Sequence, residues 1–141
     1  MHPDVKKAAR IDIGRIANMA ARFHTKAQEP WPWDYEAFCN AIAAMIETGH
    51  VTVSPGGFMV GLKQPHPLNP AWIVAHELLW WAEDGTGAAH FKAFREWAAD
   101  AHEIKWSCRA GDERTARFYG RFAAPESIYF SEVNPCASAQ F

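Results

Sequence analysis

The residues best suited to chemistry in this chain lie in one run, Glu77-Leu78-Leu79-Trp80-Trp81-Ala82-Glu83-Asp84-Gly85-Thr86-Gly87-Ala88. Glu77 sits beside two leucines and two tryptophans, where lost hydration raises a carboxyl pKa toward neutrality and makes the group a candidate proton acceptor. His76 is its rival, with an ordinary pKa already in that range. Adjacent strand residues point to opposite faces, so only one of the two faces a common site unless a bulge intervenes. A strand that runs into Gly85 and Gly87 and then a helix start presents free backbone N–H groups at the positive end of a helix dipole. A phosphate docks on such a feature. Glycine there lets an anion approach the backbone more closely than a Cβ would permit.

Other chemistries fit less well. His76-Glu77 and His102-Glu103 both begin like a zinc-protease motif, but the residues that should close the motif are Trp80 and Trp106, not histidine. His24, His50, His66 and His90 are scattered, so no metal is expected. Cys39, Cys108 and Cys136 are odd in number and show no CxxC spacing, which fits a reducing cytoplasm rather than a disulfide scaffold. Fourteen basic and sixteen acidic residues give a formal charge of -2, so nucleic acid and anionic membrane are not expected partners of the whole molecule. The exception is local: Arg114, Arg117 and Arg121 share a helical face, either as a solvated surface or as a contact for a phosphate. The apolar stretches 41–46, 71–75 and 78–82 are far shorter than the roughly 20 residues that cross a bilayer. Charges through the first twenty residues also argue against a secretory signal, so a cytoplasmic location is expected.

The elements that must position these groups can be read from periodicity. Val5 to Ala9 suggests a short edge strand, and Asp12 precedes Ile13, Ile16, Ala17, Ala20 and Phe23 at helical spacing. A proline-broken loop holding Trp31 and Trp33 follows, then Asp34 caps a second helix that Gly49 ends. From His50 the period becomes two, and Pro55-Gly56-Gly57 turns the chain into a returning strand over 58–64. A connection rich in proline, 65–70, leads to a long apolar strand over 71–82 that reads as central in a sheet. A helix over 88–101 buries Phe91, Phe94 and Trp97; a strand over 103–108, a helix from Asp112 to Phe122 and a last strand over 127–133 complete the chain. The 141 residues, 49% hydrophobic, suit one domain over the whole length, 1–141, of mixed α/β class with a central sheet flanked by helices.

With its order β-α-α-β-β-β-α-β-α-β, the chain resembles the GNAT acyltransferase superfamily from about Val5 to Val133. The family's pyrophosphate loop begins with Arg or Gln and continues to a Gly-x-Gly/Ala step. The same register here reads Ala82-Glu83-Asp84-Gly85-Thr86-Gly87, so the glycines match and the leading residue does not. Thr115-Ala116-Arg117-Phe118-Tyr119-Gly120-Arg121-Phe122 is similar to the family's phrase in which alanine and tyrosine precede a glycine-aromatic turn. Shortness and tryptophan content are similar to those of phage-encoded members. The resemblance implies a GNAT-like acyl-CoA N-acyltransferase fold and direct transfer of an acyl group, usually acetyl, from acetyl-CoA to an amine acceptor. Glu77 is then the candidate base, and Tyr119 takes the family position of the donor to the leaving thiolate. Trp80, Trp81 and Ala82 would pair with the pantetheine arm, and Gly85, Thr86, Gly87 and Ala88 would meet the pyrophosphate. Trp31 and Trp33 would line the acceptor site. Ala82 and the acidic Glu83-Asp84 pair support an alternative, a non-catalytic binding or assembly module of the same fold. The Arg114, Arg117 and Arg121 stripe supports a third reading, with a nucleic acid as acceptor. The aromatic loops are compatible with a homodimer.

Overall fold

The computed structural model describes residues 2–126 and 130–135. Within them the elements run β1 (Lys6–Lys7), α1 (Ile13–Ala27, entered through a 3-10 turn Arg10–Asp12), α2 (Tyr35–Thr48), β2 (His50–Ser54), β3 (Gly57–His66) and β4 (Asn69–Ala82). Then come α3 (Gly87–Trp97, continued by a 3-10 turn Ala98–Asp100), β5 (Glu103–Lys105) and α4 (Glu113–Tyr119). The sheet order is β1-β2-β3-β4-β5. The first four strands pair antiparallel and β4 pairs parallel with β5, a step that needs the α3 crossover.

Alternation along the strands makes two apolar layers. Val51, Val53, Phe58 and Val60 face α1 and α2, where they meet Ile16, Met19, Ala20 and Ile42. Met59 faces the other way, toward Phe91 and Phe94 of α3 and Tyr119 of α4. All five residues of β2 are buried, so the most enclosed strand is β2, not β4. β4 lies between β3 and β5, but only Val74 and Ala75 on it are fully buried and its first four residues are exposed. The stretch 65–70, expected as a loop, is instead largely strand: β3 runs to His66 and β4 starts at Asn69, with a register shift between Pro65 and His66.

Asp34 and Asp112 cap their helices as expected, each carboxylate accepting from the amide three residues on, Ala37 N at 2.9 Å and Thr115 N at 3.1 Å. Asp12 does not cap α1; it accepts from Ala9 N at 2.9 Å and from Arg15 Nη2 at 2.9 Å, fixing the turn before the helix. Three further expectations are corrected. The β5 ladder ends at Lys105, because Trp106 and the residues after it leave the edge of β4. α4 stops at Tyr119, with Gly120 after it. Of the last expected strand, Ser127, Ile128 and Tyr129 lie outside the described residues, and Phe130 to Val133 have no strand pairing. No helix among the described residues is long and apolar enough to cross a membrane.

Gly61 shows how closely α3 lies on the sheet, since a Cβ there would stand 2.6 Å from Phe94 Cε2 and 3.0 Å from Trp97 Cζ3. Gly61→Ala is therefore expected to destabilise the fold by about 1–3 kcal/mol, the usual range for overpacking. Urea unfolding monitored by circular dichroism measures it, and an unchanged midpoint would show that α3 can retreat.

Candidate active site

β4 carries a bulge at its centre. Val60 pairs with Leu79 and Gly61 pairs with Glu77, leaving Leu78 as the extra residue. Strict alternation would put Glu77 on the same face as Leu79 and Trp81, which pack on the α1 and α2 layer. The extra residue shifts the phase by one, and Glu77 joins Trp80 on the α3 and α4 face. There Tyr119 OH donates to Glu77 Oε1 at 3.0 Å, and the Tyr119 ring stacks on Trp80 with centroids 5.9 Å apart. Burial pushes the Glu77 carboxyl up to about 7, although the Tyr119 hydrogen bond acts the other way. Tyr119 is driven above the usual phenol range by burial first and by the Glu77 charge second, so its hydroxyl stays protonated. The base and acid candidates, 42 positions apart in sequence, thus share one hydrogen bond. His76 takes the opposite face by alternation, and burial followed by the Lys105 charge depresses its pKa.

This pair lies where two strands part. The β4–β5 ladder ends at His76↔Lys105, so from Glu77 to Ala82 β4 has no strand on its β5 side among the described residues. Trp106 stacks on Tyr119 at 5.7 Å, and its Nε1 is buried without a hydrogen-bond partner among the described residues. Trp80 faces this layer, and its Nε1 donates to Gly87 O at 3.1 Å, tying β4 to the start of α3. Trp81 faces α1 instead, so the two neighbouring tryptophans serve different layers.

The strand-to-helix loop is held by its own acids. Asp84 Oδ2 accepts from Ser54 Oγ at 2.7 Å and from Gly56 N at 2.8 Å, while Oδ1 accepts from Thr86 N at 3.2 Å and from the Thr86 hydroxyl. These bonds outweigh the cost of desolvation and hold its pKa well below the usual carboxylate range. Glu83 turns the other way and meets Arg22 through Nε at 3.3 Å and Nη2 at 3.1 Å. Both carboxylates thus have partners within the protein. Gly85 holds φ +79°, a left-handed conformation that favours glycine, and nothing lies within 4 Å of where its Cβ would stand. Thr86 is buried and its amide is taken by Asp84, so it offers no free N–H. The amides of Gly85, Gly87, Ala88 and Ala89 meet no acceptor among the described residues. Such a row of orphan donors at the start of an eleven-residue helix fits an anionic diphosphate, and the open edge of β4 fits an extended amide-bearing chain.

Trp31 and Trp33 lie in the connection between α1 and α2, their rings 6.2 Å apart, with His24 against both. With Tyr35 and Phe38 they wall a cavity of about 1040 Å³. Glu29 of the same connection pairs with Arg109 at 2.6 Å, joining it to the segment between β5 and α4. Arg114 and Arg117 are exposed on α4, and Arg121 lies over the Phe118 ring at 5.9 Å. No trio of His, Cys, Asp or Glu among the described residues is arranged to hold a metal ion.

Sequence reasoning missed the buried polar chain beneath the loop. His90, fully buried, bonds Thr52 Oγ1 through Nδ1 at 2.8 Å and Ser54 Oγ through Nε2 at 3.1 Å, and Ser54 also meets Thr86 Oγ1 at 2.9 Å. Desolvation lowers the His90 pKa to about 4, keeping it neutral. The alternation of Thr52 and Ser54 with Val51 and Val53 was the available signal, since polar residues on a fully buried strand need partners.

No family model matches the sequence, and no characterised protein matches it by sequence. Solved structures do match in shape. An aminoglycoside acetyltransferase from an uncultured soil metagenomic sample is 12% identical, with TM-score 0.68 over 92% of this chain and 95% of that one. A ribosomal-protein-alanine N-acetyltransferase from Brucella melitensis biovar Abortus 2308 is 12% identical, with TM-score 0.65 over 93% and 97%. A protein described as a transcriptional regulator from Bacillus halodurans C-125 is 15% identical, with TM-score 0.71 over 92% and 97%. The chain has the GNAT acyltransferase fold. At such identities the likeness establishes architecture, and chemistry must come from the site itself.

The raised Glu77 pKa has a consequence for stability. A carboxyl whose folded pKa lies above its unfolded value of 4.5 contributes stability below that value and loses it as pH rises through about 7. Glu77→Gln should therefore raise the melting temperature more at pH 8 than at pH 5. Equal shifts at both pH values would mean that the carboxyl is hydrated.

Proposed function

We propose that this protein is an acyl-coenzyme A dependent N-acyltransferase that transfers acetyl to an amine by direct attack. The observation that carries the reading is the Glu77–Tyr119 hydrogen bond at the point where β4 and β5 separate, on the strand that leads to four amides with no acceptor among the described residues. Bound acetyl-coenzyme A supplies the acyl group as an activated thioester. The amides of Gly85, Gly87, Ala88 and Ala89 receive its diphosphate, and the backbone along Trp80 to Ala82 pairs with its amide-bearing arm as an added strand. Glu77, poised near neutrality, takes the proton of the acceptor ammonium directly or through a water. Tyr119, held protonated, donates to the departing sulfur. Glu77 is already bonded to that hydroxyl and is placed to return the ammonium's first proton to it. The second proton, shed by the nitrogen once the C–N bond has formed and the C–S bond has broken, leaves to solvent. Trp31 and Trp33 form the wall against which the acceptor lies.

Ala82 favours a second reading. Only a methyl stands where a cation or amide side chain would lead the loop, which suits a binding or assembly module that does not turn over. Arg22 neutralises Glu83, whereas Asp84 is bonded only to neutral donors and keeps its charge beside the proposed diphosphate, which also favours this alternative.

Calorimetric titration with acetyl-coenzyme A, followed by thiol release over a panel of amines, tests the proposal. Because the base must be ionised, kcat/KM is expected to rise to a plateau as pH passes about 7. Glu77→Gln should remove that limb and lower kcat by about 10²–10⁴-fold, the usual worth of a general base. Tyr119→Phe should lower kcat with little change in KM. Binding without turnover across the panel would favour the module, and no binding would end the acyltransferase reading and leave the module.

A further inference from the structure

We propose that a cavity between α1 and the C-terminal end of β4 is a separate anion site, built to take a phosphate or carboxylate carried on a flat or apolar ligand portion. The cavity measures about 540 Å³ and is lined by Ala21, Arg22, Thr25, Lys26, Trp81 and Glu83. Trp81 supplies a flat wall, steadied by the edge of Phe23 at 5.8 Å. Arg22 and Lys26, one helical turn apart, form the facing rim.

The charges on this rim are poorly matched inside the molecule. Lys26 Nζ stands 5.3 Å over the Trp81 ring and has no carboxylate within ion-pair distance among the described residues. Arg22 is held by Glu83, but the pair is exposed, and an exposed ion pair exchanges readily for another anion. Trp81 Nε1 is buried, so the ring face, over which Lys26 stands, is what the cavity offers a ligand. A cation that touches only a ring face, a second cation in an exchangeable pair and an apolar plane together select an anionic group attached to a planar or apolar body.

The cavity is distinct from the amide row. Glu83, on its rim, opens the loop that carries the free amides, so the two sites share one connection. Two parts of the proposed reaction carry such an anion: the adenosine phosphate of coenzyme A, and a carboxylate on the acceptor. That assignment of source rests on the acyltransferase reading, whereas the anion site does not.

The Trp81 indole N–H, identified by its loss in Trp81→Phe, reports occupancy by NMR during titration with inorganic pyrophosphate and, separately, with benzoate. At least one of these anions is expected to shift it, and Lys26→Met to weaken that response about tenfold, the loss expected of one charge-assisted contact. Lys26 is exposed, so the variant should fold. If the phosphate is the source, Lys26→Met weakens coenzyme A about tenfold and leaves dephospho-coenzyme A unchanged. If the acceptor is the source, both bind as before and KM rises only for amines that bear a carboxylate. A Trp81 signal that neither anion moves, or an equal response in Lys26→Met, overturns the site. Failure of coenzyme A to bind while Trp81 still responds overturns the acyltransferase reading and leaves the anion site standing.

Discussion

Asp84 is the fastening on which the site depends. One carboxylate collects donors from Ser54, Gly56 and Thr86, and a backbone bond from Glu83 N to Gly56 O at 2.7 Å lies beside it. Together these clamp the connection between β4 and α3 onto the β2–β3 turn. A loop so fixed cannot fold back to satisfy the first amides of α3, and they remain available for an external anion. Its negative charge stands beside the proposed diphosphate site. It is also the internal acceptor that holds the donors in place.

The bulge at Leu78 does comparable work further back on β4. By inserting one residue it turns Glu77 toward α4 while Leu79 and Trp81 keep facing α1. The strand thus serves two layers with opposite demands, an apolar one below the Trp31 and Trp33 connection and an aromatic one around Tyr119. Burial in the second layer raises the Glu77 carboxyl and keeps Tyr119 protonated, so a single environment prepares both partners of the hydrogen bond. Parallel pairing with β5 lasts only three rungs, which exposes the β4 edge next to that pair.

Much of this was legible in the residues. Periodicity located α1, α2 and α3 and the β2–β3 hairpin, and the glycines marked the strand-to-helix loop. Asp34 and Asp112 were readable as caps because capping is local. Asp12 misled, since its carboxylate answers Ala9 and Arg15 instead of the helix amides. The bonds of Asp84 to the distant Ser54 and Gly56, and the contact between Glu77 and Tyr119, are long-range and leave no periodic trace. The burial of His90 was hidden for the same reason: a histidine in a helix looks the same whether it faces water or a chain of hydroxyls. Thr86, assigned by register to the anion, is drawn inward because its hydroxyl completes that chain.

The central claim is that the start of α3 presents unpaired amides to a diphosphate. Backbone NMR of the ¹⁵N-labelled protein during titration with coenzyme A addresses it residue by residue. The account predicts that the amides of Gly85, Gly87, Ala88 and Ala89 shift most while Thr86, bonded to Asp84, moves far less. Saturable binding that leaves those four resonances in place would contradict it.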